Sequence, residues 1–144
     1  MSALVTQLNI VLSNVVTMYF QAHGYHWNVE GPDFSQYHSL FSDIYEDIYG
    51  SIDPFAENIR KLDEYAPFSL QEFVDTRTIE VSGVKPDPKA MAKALLKSNT
   101  ELLDTLNNAF KAADDADEQG IANFIAERID MHNKWAWQLK ASTK

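Results

Sequence analysis

Apolar residues recur along most of the chain at three- and four-residue steps, the period of a helix buried on one side. Over residues 3–26 the series is Leu4, Leu8, Val11, Leu12, Val15, Tyr19 and Ala22. Asn28 to Pro32 reads as a turn, with Gly31-Pro32 as the breaker. A second helix begins near Asp33 or Ser35 and is expected over 35–62, with Phe41, Ile44, Ile48, Ile52, Phe55 and Ile59 as its apolar positions. A third long helix is expected over 88–113, with Pro88 in its first turn and Met91, Leu95, Leu102, Leu106 and Phe110 on its core face. The last runs over 118–140 through Ile121, Phe124, Ile125, Ile129, His132, Trp135 and Leu139.

Two connections have their own signals. Residues 63–88 are long and punctuated by Pro67, Gly83, Pro86 and Pro88. Within them Ser69 to Asp75 predicts a short helix, Ser69 capping and Glu72 at the third position. The acidic run Asp114, Asp115, Asp117 and Glu118 forms the other turn, and its carboxylates are placed to cap the last helix. Four long helices with a single long crossover define a fold class: an all-α, ferritin-like four-helix bundle, with a short extra helix between the second and third long helices, filling residues 1–144 as one domain.

Composition narrows the chemistry. The 144 residues are 45% hydrophobic and include 8 Phe, 6 Tyr and 3 Trp, enough to bury a core. The absence of cysteine excludes disulfides, thiolate zinc sites and cysteine nucleophiles. No basic signal-peptide start and no membrane-length apolar run is evident, which predicts a soluble, cytoplasmic protein. The net charge of −9 repels nucleic acid and favours multivalent cations.

Four positions stand out: His26, His38, Asp53 and Glu57. Asp53 and Glu57 are spaced i, i+4, so both carboxylates share a helix face. Such a pair is either a solvated face or an oxygen donor set for Fe(II), Mn(II) or Mg(II). Asp53-Pro54 also has the form of an N-cap followed by Pro, which would break the second helix near Ile52 and restart it. His26 closes the first helix and His38 opens the second, so antiparallel neighbours bring both rings to one end of the bundle. His38 and Asp53 lie 15 residues apart on one helix, about 22 Å at the α-helical rise, too far to share an ion. Two copies of the second helix packed antiparallel about a twofold axis remove that distance. Pairing 38 with 57 sets 42 opposite 53 and 46 opposite 49, all on one stripe.

The block His26-Trp27-Asn28-Val29-Glu30-Gly31-Pro32-Asp33-Phe34, with His38 twelve residues after His26 and then Asp53 and Glu57, resembles the Dps family of mini-ferritins. The likeness extends through the long crossover with its short helix to Trp135-Ala136-Trp137-Gln138-Leu139. It implies a dodecameric shell built from twofold dimers that oxidises Fe(II), preferably with hydrogen peroxide but also with dioxygen, and stores ferric iron against oxidative damage. Iron is thus the metal implied. Carried over by position, His26 and His38 come from one subunit and Asp53 and Glu57 from its partner. Asp53, Glu57 and His26 make the stronger iron position, and Trp27 beside them intercepts stray oxidising equivalents. Acids near the Asp114, Asp115, Asp117 and Glu118 turn line threefold pores in the family.

This sequence departs from the family at Ser42, where an acid is usual four residues after the second histidine. Asp43 points about 100° away, and Glu46 is one turn further along. Pro54 inside the second helix is a further departure. His23 is either an ordinary helix-end histidine or an auxiliary ligand in iron transit, and His132, on an apolar face, is read as structural. Trp135 and Trp137 are read as core or interface anchors rather than redox groups. The competing readings are a shell that binds the nucleoid and a structural cage whose iron site has decayed. Strong DNA binding is not expected, because the chain has no basic residue before Arg60 and only Lys140 and Lys144 at its end.

Overall fold

The computed structural model describes residues 2–81, 83 and 87–144. Five helices account for most of them: α1 (Ala3–Asn28), α2 (Phe34–Lys61), the short α3 (Leu70–Thr76), α4 (Pro88–Asp115) and α5 (Gln119–Ser142). No strand occurs among the described residues. The hairpins α1–α2 and α4–α5 pack on each other through α1 and α4, and α3 lies against α1.

Local chemistry sets the helix ends. Ser2 caps α1, its hydroxyl accepting from the Val5 amide at 3.1 Å. α1 continues two residues past its expected end, and the chain turns at Gly31, whose φ of 126° suits glycine. α3 carries the expected capping box between Ser69 and Glu72. Asp87 caps α4 by accepting from the Ala90 amide at 2.9 Å, with Pro88 following. Pro86 lies outside the described residues.

One sequence alternative falls and two sequence expectations are corrected. α2 does not break near Ile52; it runs unbroken through Pro54, although the proline leaves the Gly50 carbonyl without its helical donor. The acidic turn does not cap the last helix. Asp114 and Asp115 belong to the final turn of α4, Asp117 takes a left-handed conformation (φ 56°), and Glu118 at the start of α5 makes no side-chain cap bond. Phe110 is not on the core face but is 36% exposed, because Ala109 and Ala113 occupy the buried line at that end of α4.

The core runs the length of the bundle. Leu8, Leu12, Phe41, Ile44, Ile48, Phe55, Leu95, Leu102, Ile125 and Leu139 are almost or wholly removed from solvent. Each such side chain contributes roughly 1.5–3 kcal/mol. α1 is buried over consecutive residues 11–18 because the crossover covers its outer side. Its length and composition would suffice to cross a membrane, contrary to the sequence reading, but the bundle buries most of it. Asn14, fully buried, fixes that crossover. Its Oδ1 accepts from the Thr78 and Ile79 amides at 2.9 and 3.1 Å, and its Nδ2 donates to the hydroxyls of Thr78 and Thr105 at 2.9 and 3.3 Å.

Candidate metal centre

His26, in the last turn of α1, and His38, early in α2, meet face to face with ring centroids 3.6 Å apart. The tight Gly31 turn brings these helix ends together. Each ring's Nδ1 lies 2.7 Å from the other residue's backbone carbonyl oxygen. A carbonyl only accepts, so both Nδ1 atoms carry a proton, and in the neutral form of each ring the lone pair lies on Nε2. Anchoring one ring nitrogen to a carbonyl is the usual way to aim the other at a metal. Phe34 stacks on His38 at 4.7 Å, and Tyr45 meets His26 edge-on at 5.2 Å.

Asp53 and Glu57 are exposed on α2 and are not near this pair within the subunit. The described residues of one chain hold no group of three or more His, Asp or Glu side chains able to bind a metal ion. Ser42 is half-buried one turn after His38, and Glu46 is exposed beside a groove between α2 and α5. Trp27 is 62% exposed and stands 4.4 Å from the His23 ring. His23 stacks flat on Tyr45, with centroids 3.8 Å apart, and its Nδ1 is 2.9 Å from the Tyr19 hydroxyl. Burial, and to a lesser extent neighbouring His26, holds the His23 pKa below the usual histidine range. The two imidazole nitrogens where α1 meets α2 and the two exposed carboxylates further along α2 do not meet within one subunit, but together they are nitrogen and oxygen donors of mixed type. Such a set suits Fe(II).

A model of the ferritin-like domain matches residues 5–144. The fold superposes on Dps from Vibrio cholerae with a TM-score of 0.93 at 27% identity, covering 98% of this chain and 89% of that one. That protein is described as one of the ferritin-like diiron-carboxylate proteins. Dps from Bacillus brevis gives a TM-score of 0.93 at 26% identity over 98% of this chain and 95% of the other. The chain belongs to the ferritin-like family, in its Dps branch. Curated relatives include stress-related proteins. General stress protein 20U of Bacillus subtilis is 26% identical over 96% of this chain and 95% of its own. An uncharacterized low temperature-induced protein of Nostoc is 29% identical over 93% of this chain and 76% of its own.

In this Dps-type subunit a buried polar network crosses the bundle, and the sequence reading missed it. Arg128 grips Asp47 with two bonds of 2.9 and 2.8 Å, and the Trp135 Nε1–H donates to the same carboxylate at 2.8 Å. His132, fully buried, lies 3.3 Å from the Arg128 guanidinium and bonds the Asn99 side chain at 2.7 Å through Nδ1. Burial pushes the Asp47 carboxyl up, but the bonds from Arg128 and Trp135 outweigh it and hold the pKa below the usual range. Burial, then the charge of Arg128, lowers His132 to about 3, so its ring is neutral and structural. Trp135 is a core residue, whereas Trp137 is 65% exposed. At the acidic turn of this Dps-type chain, Asp114, Asp115 and Asp117 face solvent and Glu118 is half-buried.

Proposed function

We propose that the chain is a ferroxidase and iron-storage subunit. It oxidises Fe(II) with hydrogen peroxide, or more slowly with dioxygen, and holds the ferric product inside a homo-oligomeric shell, in solution in the cytoplasm. The observation that carries this reading is the His26–His38 pair, two imidazoles each locked by a carbonyl with Nε2 free. Iron is the substrate here. Its site is completed when α2 of a second copy packs antiparallel and brings Asp53 and Glu57 to the histidines. Tyr49, 62% exposed on the same stripe, gains cover in that arrangement. Twelve subunits built from such dimers make the shell, and the acids at the α4–α5 turn line its pores.

The test is an anaerobic Fe(II) titration of the iron-free protein, followed by peroxide in one sample and dioxygen in another. Saturable Fe(II) binding and rapid oxidation are expected, with light scattering reporting a large sphere. A monomer, or oxidation no faster than in buffer, would defeat the reading.

Ser42 favours a second reading, a Dps-like shell whose degenerate iron site leaves it a structural or nucleoid-associated protein. A Brevibacillus brevis relative, 27% identical, is named a DNA protection during starvation protein. With a net charge of −9 per chain, protection through iron chemistry is the better fit than direct DNA binding. A gel shift at two salt concentrations separates the two.

A further inference from the structure

A groove of about 380 Å³ runs between the crossover and the middle of α4 and shares no residue with the histidine pair. Ile79 and Ser98 form its floor, at 3% and 4% exposure, and Thr78, Glu80, Lys97 and Glu101 rim it. Five hydroxyl side chains are buried among the described residues. Ser13, Thr17, Ser51 and Thr105 each donate to a carbonyl of their own helix, at 2.8, 2.8, 2.7 and 2.9 Å. Ser98 is the fifth, and it makes no hydrogen bond to any described residue. Buried polar groups are rarely left unpaired, so a hydroxyl of this kind on the floor of a groove points to a ligand. The Thr78 hydroxyl accepts from Asn14 Nδ2 at 2.9 Å, which leaves its own proton available. Glu80, Lys97 and Glu101 are not paired with one another, since the one ion pair among the described residues joins Arg128 to Asp47.

The mixture of charges selects the ligand. Lys97 opposes a metal cation, and Glu80 with Glu101 opposes an inorganic anion. A molecule that carries both charges on one carbon satisfies both sides of the rim. We propose that this groove binds a free α-amino acid as its zwitterion. The ligand carboxylate accepts from the Lys97 ammonium and the Ser98 hydroxyl, and the ligand ammonium donates to Glu80 and Glu101. Its side chain lies on Ile79, which makes an aliphatic residue such as valine or leucine the best fit. The bound molecule ties the crossover to α4, adding to the Asn14 bonds that hold the same segment. The site uses no iron and stands independently of the function proposed above.

Saturation-transfer NMR on the full-length, iron-free protein tests this, with affinities from calorimetry. The probes are valine, leucine, N-acetylvaline, which lacks the ammonium, and valinamide, which lacks the carboxylate. Saturable transfer to valine and leucine is expected. Each blocked form should bind at least about tenfold more weakly, because each loses one charge-assisted contact. Lys97→Gln and the double variant Glu80→Gln/Glu101→Gln alter the rim and leave the floor intact, and each should weaken valine binding about tenfold. Ser98→Ala should weaken it severalfold with unchanged circular dichroism. If that change disturbs α4, the rim variants decide alone. No transfer to valine or leucine overturns the proposal. So does equal transfer to the blocked forms, or valine binding that is unchanged in both rim variants.

Discussion

His26 and His38 hold each other in place, the Nδ1–H of each donating to the other's backbone carbonyl at 2.7 Å. The bonds tie the end of α1 to the start of α2 and fix both tautomers at once. Each ring is therefore both a positioned nitrogen donor and a strut for its neighbour.

His26→Ala and Glu57→Ala should each abolish rapid Fe(II) oxidation while leaving the oligomer intact. Each removes a proposed ligand, and losing even an outer partner of a metal ligand costs roughly 10–100-fold in affinity. Stopped-flow oxidation with light scattering checks this. Wild-type rates in both variants would place the oxidation site elsewhere.

Asn14→Ala should loosen the crossover. The change strips acceptors from two backbone amides and a partner from Thr105. A buried donor without a partner costs roughly 1–3 kcal/mol, so a loss of about 2–3 kcal/mol is expected. Hydrogen exchange should speed up at Thr78 and Ile79 before it does in α4. Unchanged exchange there would show that the crossover is held by other contacts.

Acid should destabilise the iron-free protein through the buried network. His132 is lowered from 6.5 to about 3 in the fold, so the unfolded chain takes up its proton first as pH falls. The contribution is complete above the unfolded value of 6.5 and is lost progressively as pH drops toward the folded value of about 3. Asp47 acts in the same direction at lower pH, since its depressed pKa gives stability that disappears once the carboxyl is protonated. His132→Asn should flatten the fall in melting temperature between neutrality and about pH 4, whatever its effect at neutral pH. An equally steep fall in the variant would exclude His132 as a source of the acid sensitivity.

Helix periodicity exposed the bundle because each long helix buries one stripe, and Ser69 with Glu72 marked α3 because capping is a local matter. Pro54 left a break near Ile52 open as an alternative, but its cost to one hydrogen bond is offset by the burial of Phe55 and Ile59, which carries α2 onward. The histidine pair was legible because a short turn joins its members. The Asp47–Arg128–Trp135 cluster was not, because its partners are 81 and 88 residues apart. A signal was present nonetheless. Arg128 sits among Ile125, Ile129 and His132, and Asp47 beside Ile44 and Ile48, and a charge on an apolar stripe demands a buried partner. The proposed join of Asp53 and Glu57 to the histidines needs a second copy, and the stripe of positions 38, 42, 46, 49, 53 and 57 on α2 is the single-chain pattern that points to it.

Ser42 offers the sharpest test of that join. It is half-buried on α2 one turn beyond His38, and antiparallel pairing about a twofold sets position 42 opposite the partner's Asp53. A serine hydroxyl is a poor iron ligand, whereas a carboxylate brings both charge and an oxygen donor to a hard cation. Ser42→Asp should therefore raise occupancy of a second iron position and speed the paired oxidation step. The added negative charge beside Asp53 and Glu57 should slightly weaken the iron-free dimer at neutral pH and be offset once Fe(II) binds. Crystals soaked anaerobically in Fe(II) are expected to show one strong metal per site in the wild type and two in the variant. Two fully occupied irons already in the wild type, with Ser42 taking no part, would mean that water or Glu46 supplies the missing ligand and that the serine carries no penalty.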